Sequence, residues 1–168
     1  MCGISGLISL AADTEGKVST VERMNQLLFH RGPDSDGMHI ASHVILAMRR
    51  LSIIDLSGGQ QPLFNETGDI VLVCNGEIYN FVELRAELEA LGHRFSSQSD
   101  VETIIHAYEE YGLDFLSRLR GMFALALWDS KQQHLILARD RMGEKPFYYH
   151  RDDSGHLWFS SELRSLFQ

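Results

Sequence analysis

Apolar positions along the chain follow two rhythms, one of strands and one of helices. Cys2 to Leu10 is apolar and β-leaning, with two glycines, and reads as a buried first strand. Val21, Met24, Leu27 and Leu28 then recur at helical spacing. Ser19 with Glu22 three residues on has the form of a capping box, so a helix is predicted to end near His30-Arg31-Gly32-Pro33-Asp34. Met38–Ala41 and Val44–Met48 form a predicted hairpin turning near Ser42. Ser57-Gly58-Gly59 breaks the chain, and Ile70–Cys74 is another apolar strand. Asn80 with Glu83 repeats the capping logic ahead of a helix whose apolar face is Phe81, Leu84, Leu88 and Leu91, with Gly92 placed to end it. Val101, Ile104, Ile105 and Tyr108 mark the next helix, stopped near Gly112. From Gly121 the pattern becomes strands: Met122–Trp128, His134–Arg139, Phe147–His150 and Leu157–Ser160. The run Phe123–Trp128 is apolar on both faces and is expected to be covered on both sides. Antiparallel strands with helices before and between them predict two stacked sheets with helices outside, an α+β layering.

Composition narrows the functional classes. The 168 residues are the length of one domain, with no internal repeat, linker or low-complexity tract. A net charge of −8 argues against tracking a phosphate backbone, so no nucleic-acid partner is expected. No apolar run approaches membrane-spanning length and the start does not read as a secretory signal, so a cytoplasmic protein with no membrane partner is expected. Two cysteines, Cys2 and Cys74, exclude a disulfide framework and a four-cysteine zinc site. The eight histidines show no H-E-x-x-H spacing, and there is neither a phosphate loop nor a dinucleotide fingerprint, so no metal site is predicted.

Three constellations could carry chemistry, each with a purely structural alternative. Cys2 reads either as a small buried hydrophobe or, if Met1 is removed, as a residue bearing a thiol and a free α-amine together. Such an amine, with an ordinary pKa of about 7.7–8.0, could serve as the base for its own thiol. Asn75-Gly76 reads either as a hairpin turn or as a side-chain amide and a backbone N–H aimed at one oxyanion. Arg50 and Asp100 read as a solvated strand end and a helix cap, or as a clamp for the carboxylate and ammonium of a free amino acid.

Taken in order, Met1-Cys2-Gly3-Ile4, His30–Asp34, Arg50–Asp55, Gln61-Pro62-Leu63, Asn75–Asn80, Ser99-Asp100-x-Glu102, Gly121–Ala124, Ala138–Arg141 with Gly143 and Lys145-Pro146, and Ser161–Leu163 resemble the class II glutamine amidotransferase domain of glutamine-dependent asparagine synthetases. The resemblance covers essentially the whole chain, 1–168. It implies a four-layer αββα sandwich of the N-terminal-nucleophile hydrolase type and a glutaminase that releases ammonia through a Cys2 thioester. Carried over residue by residue, it makes Cys2 the nucleophile and Asn75 and Gly76 the oxyanion hole. Arg50 would hold the α-carboxylate of L-glutamine and Asp100 its α-ammonium, with Leu51, Ser52, Ile53, Ile54 and Glu77 lining the same pocket. No cofactor is implied for that step. ATP and Mg are expected only for an ATP-dependent synthetase domain absent from this chain, which would act in cis or trans to turn L-aspartate into L-asparagine; a homodimer is a further candidate assembly. Alternatives are the same module in a homologue amidating another acceptor, a non-catalytic amidotransferase-like regulatory domain, or an N-terminal-nucleophile hydrolase for peptides or penicillin-like amides, which would need a larger apolar pocket. Cys74 is expected to be a packing residue.

Overall fold

A computed structural model describes residues 1–53, 55 and 58–167. In chain order the elements are β1 (Gly3–Ile8), α1 (Val18–Leu27), β2 (Ser35–Ile40), β3 (Val44–Arg50), β4 (Leu63–Phe64), β5 (Ile70–Ile78), α2 (Phe81–Ala90), α3 (Glu102–Tyr111), α4 (Phe115–Arg118), β6 (Gly121–Asp129), β7 (His134–Arg139), β8 (Tyr148–Arg151), β9 (Leu157–Ser160) and α5 (Leu163–Leu166). Every strand pairing is antiparallel. One sheet runs β2-β3-β1-β9-β8 and the other β4-β5-β6-β7.

Strand parity sorts the side chains into layers, because successive residues point to opposite faces. In β3, Val44, Leu46 and Met48 face the other sheet, while Ile45 and Ala47 pack under α1 with Leu7, Val21 and Met24. In β5, Val71 and Val73 face inward between the sheets, and Ile70, Leu72 and Cys74 pack on α2 and α3. In β6, Ala124, Ala126 and Trp128 fill the middle and Phe123, Leu125 and Leu127 meet the helices. Three apolar clusters between four layers make the expected αββα sandwich, and Phe123–Trp128 is indeed covered on both sides.

The hairpin turns at Ala41–Val44, where the two residues exchange backbone hydrogen bonds of 2.9 and 3.3 Å. Several local expectations fail. The Ser19/Glu22 capping box does not form, because α1 already begins at Val18, behind a 3-10 turn at Glu15–Lys17. Asn80 sits at the N-cap of α2 without capping it; its side chain instead donates to Arg118 O (3.0 Å) and accepts from Arg120 N (2.8 Å), tying down the entry to β6. Leu91 belongs to no apolar face, being exposed just beyond α2. Gly92 and Gly112 do end their helices, with φ of 106° and 54°. The Ser57-Gly58-Gly59 break has Ser57 outside the described residues, while Gly59 takes φ 57°.

Candidate active site

The parity that builds the core also sets the polar residues at one end of the sandwich. Arg50 continues the inward row of Met48, and Asn75 the inward row of Val73. Cys2 precedes β1, whose pairing places Gly3 opposite Arg49, and it packs against the same middle layer. All three therefore meet where the two sheets open. The cavity there, about 110 Å³, is bordered by Cys2, Arg50, Asn75, Gly76, Glu77 and Asp100, and also by Leu51, Ile53, Gly59, Gln61, Cys74 and Lys145.

Cys2 is half-buried rather than sealed in the core, and its Sγ accepts from Leu51 N–H at 3.4 Å, with Leu51 O at 3.6 Å. Arg31 fixes its backbone from behind. The guanidinium donates to Cys2 O at 2.9 Å and is itself held by Glu162 at 3.1 Å, a carboxylate that also bonds His30. Asp34 orders the segment after β3, its carboxylate accepting Ser52 N–H at 2.8 Å. These contacts account for the otherwise unassigned His30–Asp34 and Ser161-Glu162 motifs.

Asn75-Gly76 is not a turn. It lies inside β5, paired with Ala124 and Phe123, because β5 runs on to Ile78 with β6 alongside throughout. A Cβ on Gly76 would sit 2.4 Å from Met122 O, so close approach of β6 demands the glycine. On the open edge of β5, Cys74 N–H donates to Gln61 Oε1 at 2.6 Å and Ile78 N–H to Asp100 Oδ2 at 2.7 Å. Strand alternation directs the Gly76 N–H to that same edge, between those two groups. The Asn75 Nδ2 is buried yet has no hydrogen-bond partner among the described residues. A buried amide donor without an acceptor is costly, and its place on the cavity wall marks where an acceptor would be stabilised.

Arg50 is no solvated strand end. It is buried, with Nη2 donating to Asp55 O at 2.7 Å and Nη1 to Gln60 Oε1 at 3.3 Å. Gly59 lies between Arg50 and the Ser99-Asp100 segment: a Cβ there would be 3.1 Å from both Arg50 Nη2 and Ser99 Cβ. Asp100 is 3% exposed and precedes α3, whose N-cap is Val101. Its carboxylate reaches across to β5 instead of capping its own helix through a side-chain bond. Burial pushes the Asp100 carboxyl above its ordinary pKa and nearby Glu77 adds to this, while the Ile78 and Val101 N–H groups oppose both. The Cys74 thiol is driven up further still, by full burial and then by the Asp100 charge, which leaves it an inert packing residue as expected.

Of the remaining expected residues, Leu51 and Ile53 border the cavity. Ser52 does not; its described role is the contact with Asp34. Ile54 lies outside the described residues. Sequence reasoning missed Gln61, whose amide brackets Cys74 by also donating to its carbonyl at 3.2 Å, and Lys145, buried at the cavity wall. Both stand within motifs that carried the resemblance, but nothing in their spacing gives them a role.

A family model described as "Glutamine amidotransferase domain" matches residues 1–168. The chain belongs to this family. It is 46% identical over 169 aligned residues to "Asparagine synthetase [glutamine-hydrolyzing] 2" of Bacillus subtilis (strain 168), and 43% identical over 166 to the protein of the same name from Oryza sativa subsp. japonica. Each alignment covers 99% of this chain but only 22% and 28% of the relative, so the chain spans about a quarter of their length. Among solved structures, one titled as the allosteric regulatory enzyme of purine biosynthesis superposes with a TM-score of 0.77 at 20% identity, over 98% of this chain and 43% of that one. Glutamine phosphoribosylpyrophosphate amidotransferase of B. subtilis superposes with a TM-score of 0.64 at 19% identity over the same shares. At that identity the likeness shows the fold alone, the antiparallel αββα sandwich described above.

Proposed function

We propose that this domain hydrolyses the side-chain amide of L-glutamine through a thioester on Cys2 and passes the ammonia to an ATP-dependent synthetase domain that forms L-asparagine. The observation that carries the glutaminase step is the buried, unpartnered Asn75 Nδ2 beside Cys2, on the rim shared with the Gly76 N–H. Support for asparagine as the product comes from the relatives alone.

With Met1 removed, the Cys2 thiolate attacks the amide carbon of glutamine, and negative charge gathers on the amide oxygen between Asn75 Nδ2 and Gly76 N–H. The C–N bond breaks as the Cys2 ammonium gives its proton to the leaving nitrogen, and ammonia departs. The amine, now neutral, takes a proton from water as that water attacks the thioester carbon. Glutamate leaves, the thiol is regenerated, and one water is consumed per ammonia released. Arg50 takes the α-carboxylate and Asp100 the α-ammonium, so the substrate is read as a zwitterion. A 110 Å³ cavity bearing these two opposite charges suits a free amino acid better than a bulky acyl chain. This favours glutamine over a peptide or penicillin-like amide.

The test is glutamate release from glutamine by the Met1-processed chain and by its Cys2→Ala variant. Turnover by the parent and none by the variant is expected. Equal turnover in the two would remove Cys2 from the reaction.

A further inference from the structure

Lys145 is an oddity of the site that the mechanism above leaves unused. The residue is 5% exposed and borders the cavity, and its Nζ has one polar side-chain contact among the described residues, the Met1 sulfur at 3.3 Å. A thioether is a poor partner for an ammonium, and a buried cation normally finds a carboxylate. Its position is nonetheless built with care. The Asp140 carboxylate accepts backbone N–H groups from Phe123 (3.3 Å), Met142 (3.1 Å), Glu144 (2.9 Å) and Lys145 itself (3.0 Å). Burial would raise the Asp140 pKa, but those donors outweigh it and keep the carboxyl ionised below its ordinary range. The loop is further closed by Gly143, at φ 66°, donating to Asp140 O at 3.0 Å, and by Arg141 donating to Leu119 O at 3.0 Å. Arg139–Lys145 is therefore a bracket against the start of β6 that delivers one ammonium to the chain's first residue.

We propose that Lys145 is a positioning residue for the Cys2 nucleophile, its ammonium favouring the ionised form of the thiol once Met1 is gone. The proposal rests on the reading of Cys2 as a terminal nucleophile. Lys145 Nζ touches the side chain of Met1, the residue bonded to the Cys2 nitrogen, and Lys145 and Cys2 border the same cavity. A neighbouring positive charge favours a thiolate, the state that attack requires, while the proton the thiol gives up is kept on the amine for the leaving nitrogen. The other cations around Cys2 already have named contacts. Arg31 is engaged by Glu162, and Arg50 is aimed at Asp55 O and Gln60. Asp100 and Glu77, which border the same cavity, are negative and would hold the proton on the thiol; buried Cys74 is a neutral thiol. Lys145 brings a positive charge to the cavity that those two carboxylates border.

The experiment follows the rate of Cys2 alkylation by iodoacetamide against pH in the Met1-processed chain, alongside kcat/KM for glutamine. In the parent, the acid limb of alkylation should lie below that of a free Cys-Gly-Ile-Ser peptide. Lys145→Met, an unbranched neutral replacement, should move that limb up by about 1 pH unit in both readouts, and Lys145→Arg should keep it. A folded Lys145→Met protein with the parental limb overturns the proposal. So does a parent limb equal to the peptide's, a comparison that needs no variant to fold. If the parent alkylates with a lowered limb yet releases no glutamate, the glutaminase reading fails and the Lys145 effect stands.

Discussion

Asp100 holds a carboxylate almost out of reach of water, and the consequence can be measured in both stability and binding. Its pKa is raised, chiefly by burial, so the folded state binds its proton more tightly than the unfolded chain does. Ionised Asp100 therefore destabilises the fold, with stability falling as pH rises from the unfolded pKa through the folded one. Asp100→Asn should keep or raise the melting temperature at neutral pH while raising KM for glutamine at least tenfold; a lower melting temperature with unchanged KM would contradict its role. For the parent, KM should rise as pH falls through the raised Asp100 pKa, because the ammonium loses its partner. Asn75 makes the complementary case. Its Nδ2 supports nothing in the fold, so Asn75→Ala should lower kcat by roughly 10²–10³ with little change in KM. A loss confined to KM would mean that the amide binds substrate without meeting the transition state.

At the scale of elements, the loop that carries Asp100 is tied to α3 by a buried ion-pair chain. Glu102 accepts from the backbone and hydroxyl groups of Ser96 and Ser97, at 2.7 and 2.8 Å from Ser96 and 2.8 Å from the Ser97 N–H. Burial would raise its pKa, but His106 and these donors bring it down to about 2. His106 Nδ1 bonds Glu109 Oε2 at 2.9 Å, while Nε2 stands 3.8 Å from Glu102, an electrostatic contact beyond hydrogen-bond reach. Burial would lower the His106 pKa, yet the two carboxylates raise it to about 9. Its stabilisation is thus full below pH 6.5 and lost as pH climbs through about 9. His106→Ala should cost about 2–4 kcal/mol at neutral pH, a difference from the parent that shrinks across that window in denaturant titrations. A pH-independent difference would show that packing alone is at stake. In the sheet that α3 covers, Gly76→Ala should lower yield or melting temperature before any question of catalysis arises, since its Cβ meets the β6 backbone.

The same elements show what the amino-acid sequence makes legible. Long strands and helices with unbroken periodicity, such as Phe123–Trp128 and the stripe of α3, could be read because burial on a face leaves a repeat. The two-residue β4 and the four-residue α4 and α5 are too short to leave one. Asn75-Gly76 carried the chemistry of a turn, and only the pairing of β5 with β6 overrides it. Cys2, Arg50, Asn75 and Asp100 are singled out by the resemblance, and strand parity explains why Arg50 and Asn75 meet at the same end of the sandwich. Gln61 and Lys145 were not, since their partners, Cys74 and Met1, are distant in sequence and are set by tertiary packing.

Across the whole molecule, the chain joins a glutamine amidotransferase fold to a quarter of the length of its asparagine-synthetase relatives. No helix among the described residues is long and apolar enough to cross a membrane. The cavity at the open end of the sandwich is bordered by groups suited to amide hydrolysis, and the proposed cycle draws on no nucleotide. Glutamate release by this chain should therefore be unchanged by ATP with Mg or by a chelator, a point that glutaminase assays with each addition would check.

The claim on which everything turns is the Cys2 thioester. Acid-quenched intact mass spectrometry of the Met1-processed chain during glutamine turnover measures it directly. The account predicts a species heavier by glutamine less ammonia, located by peptide mapping on Cys2, not on Cys74, and absent from Cys2→Ala. Glutamate released at full rate with no such adduct, or an adduct on Cys74, would contradict it.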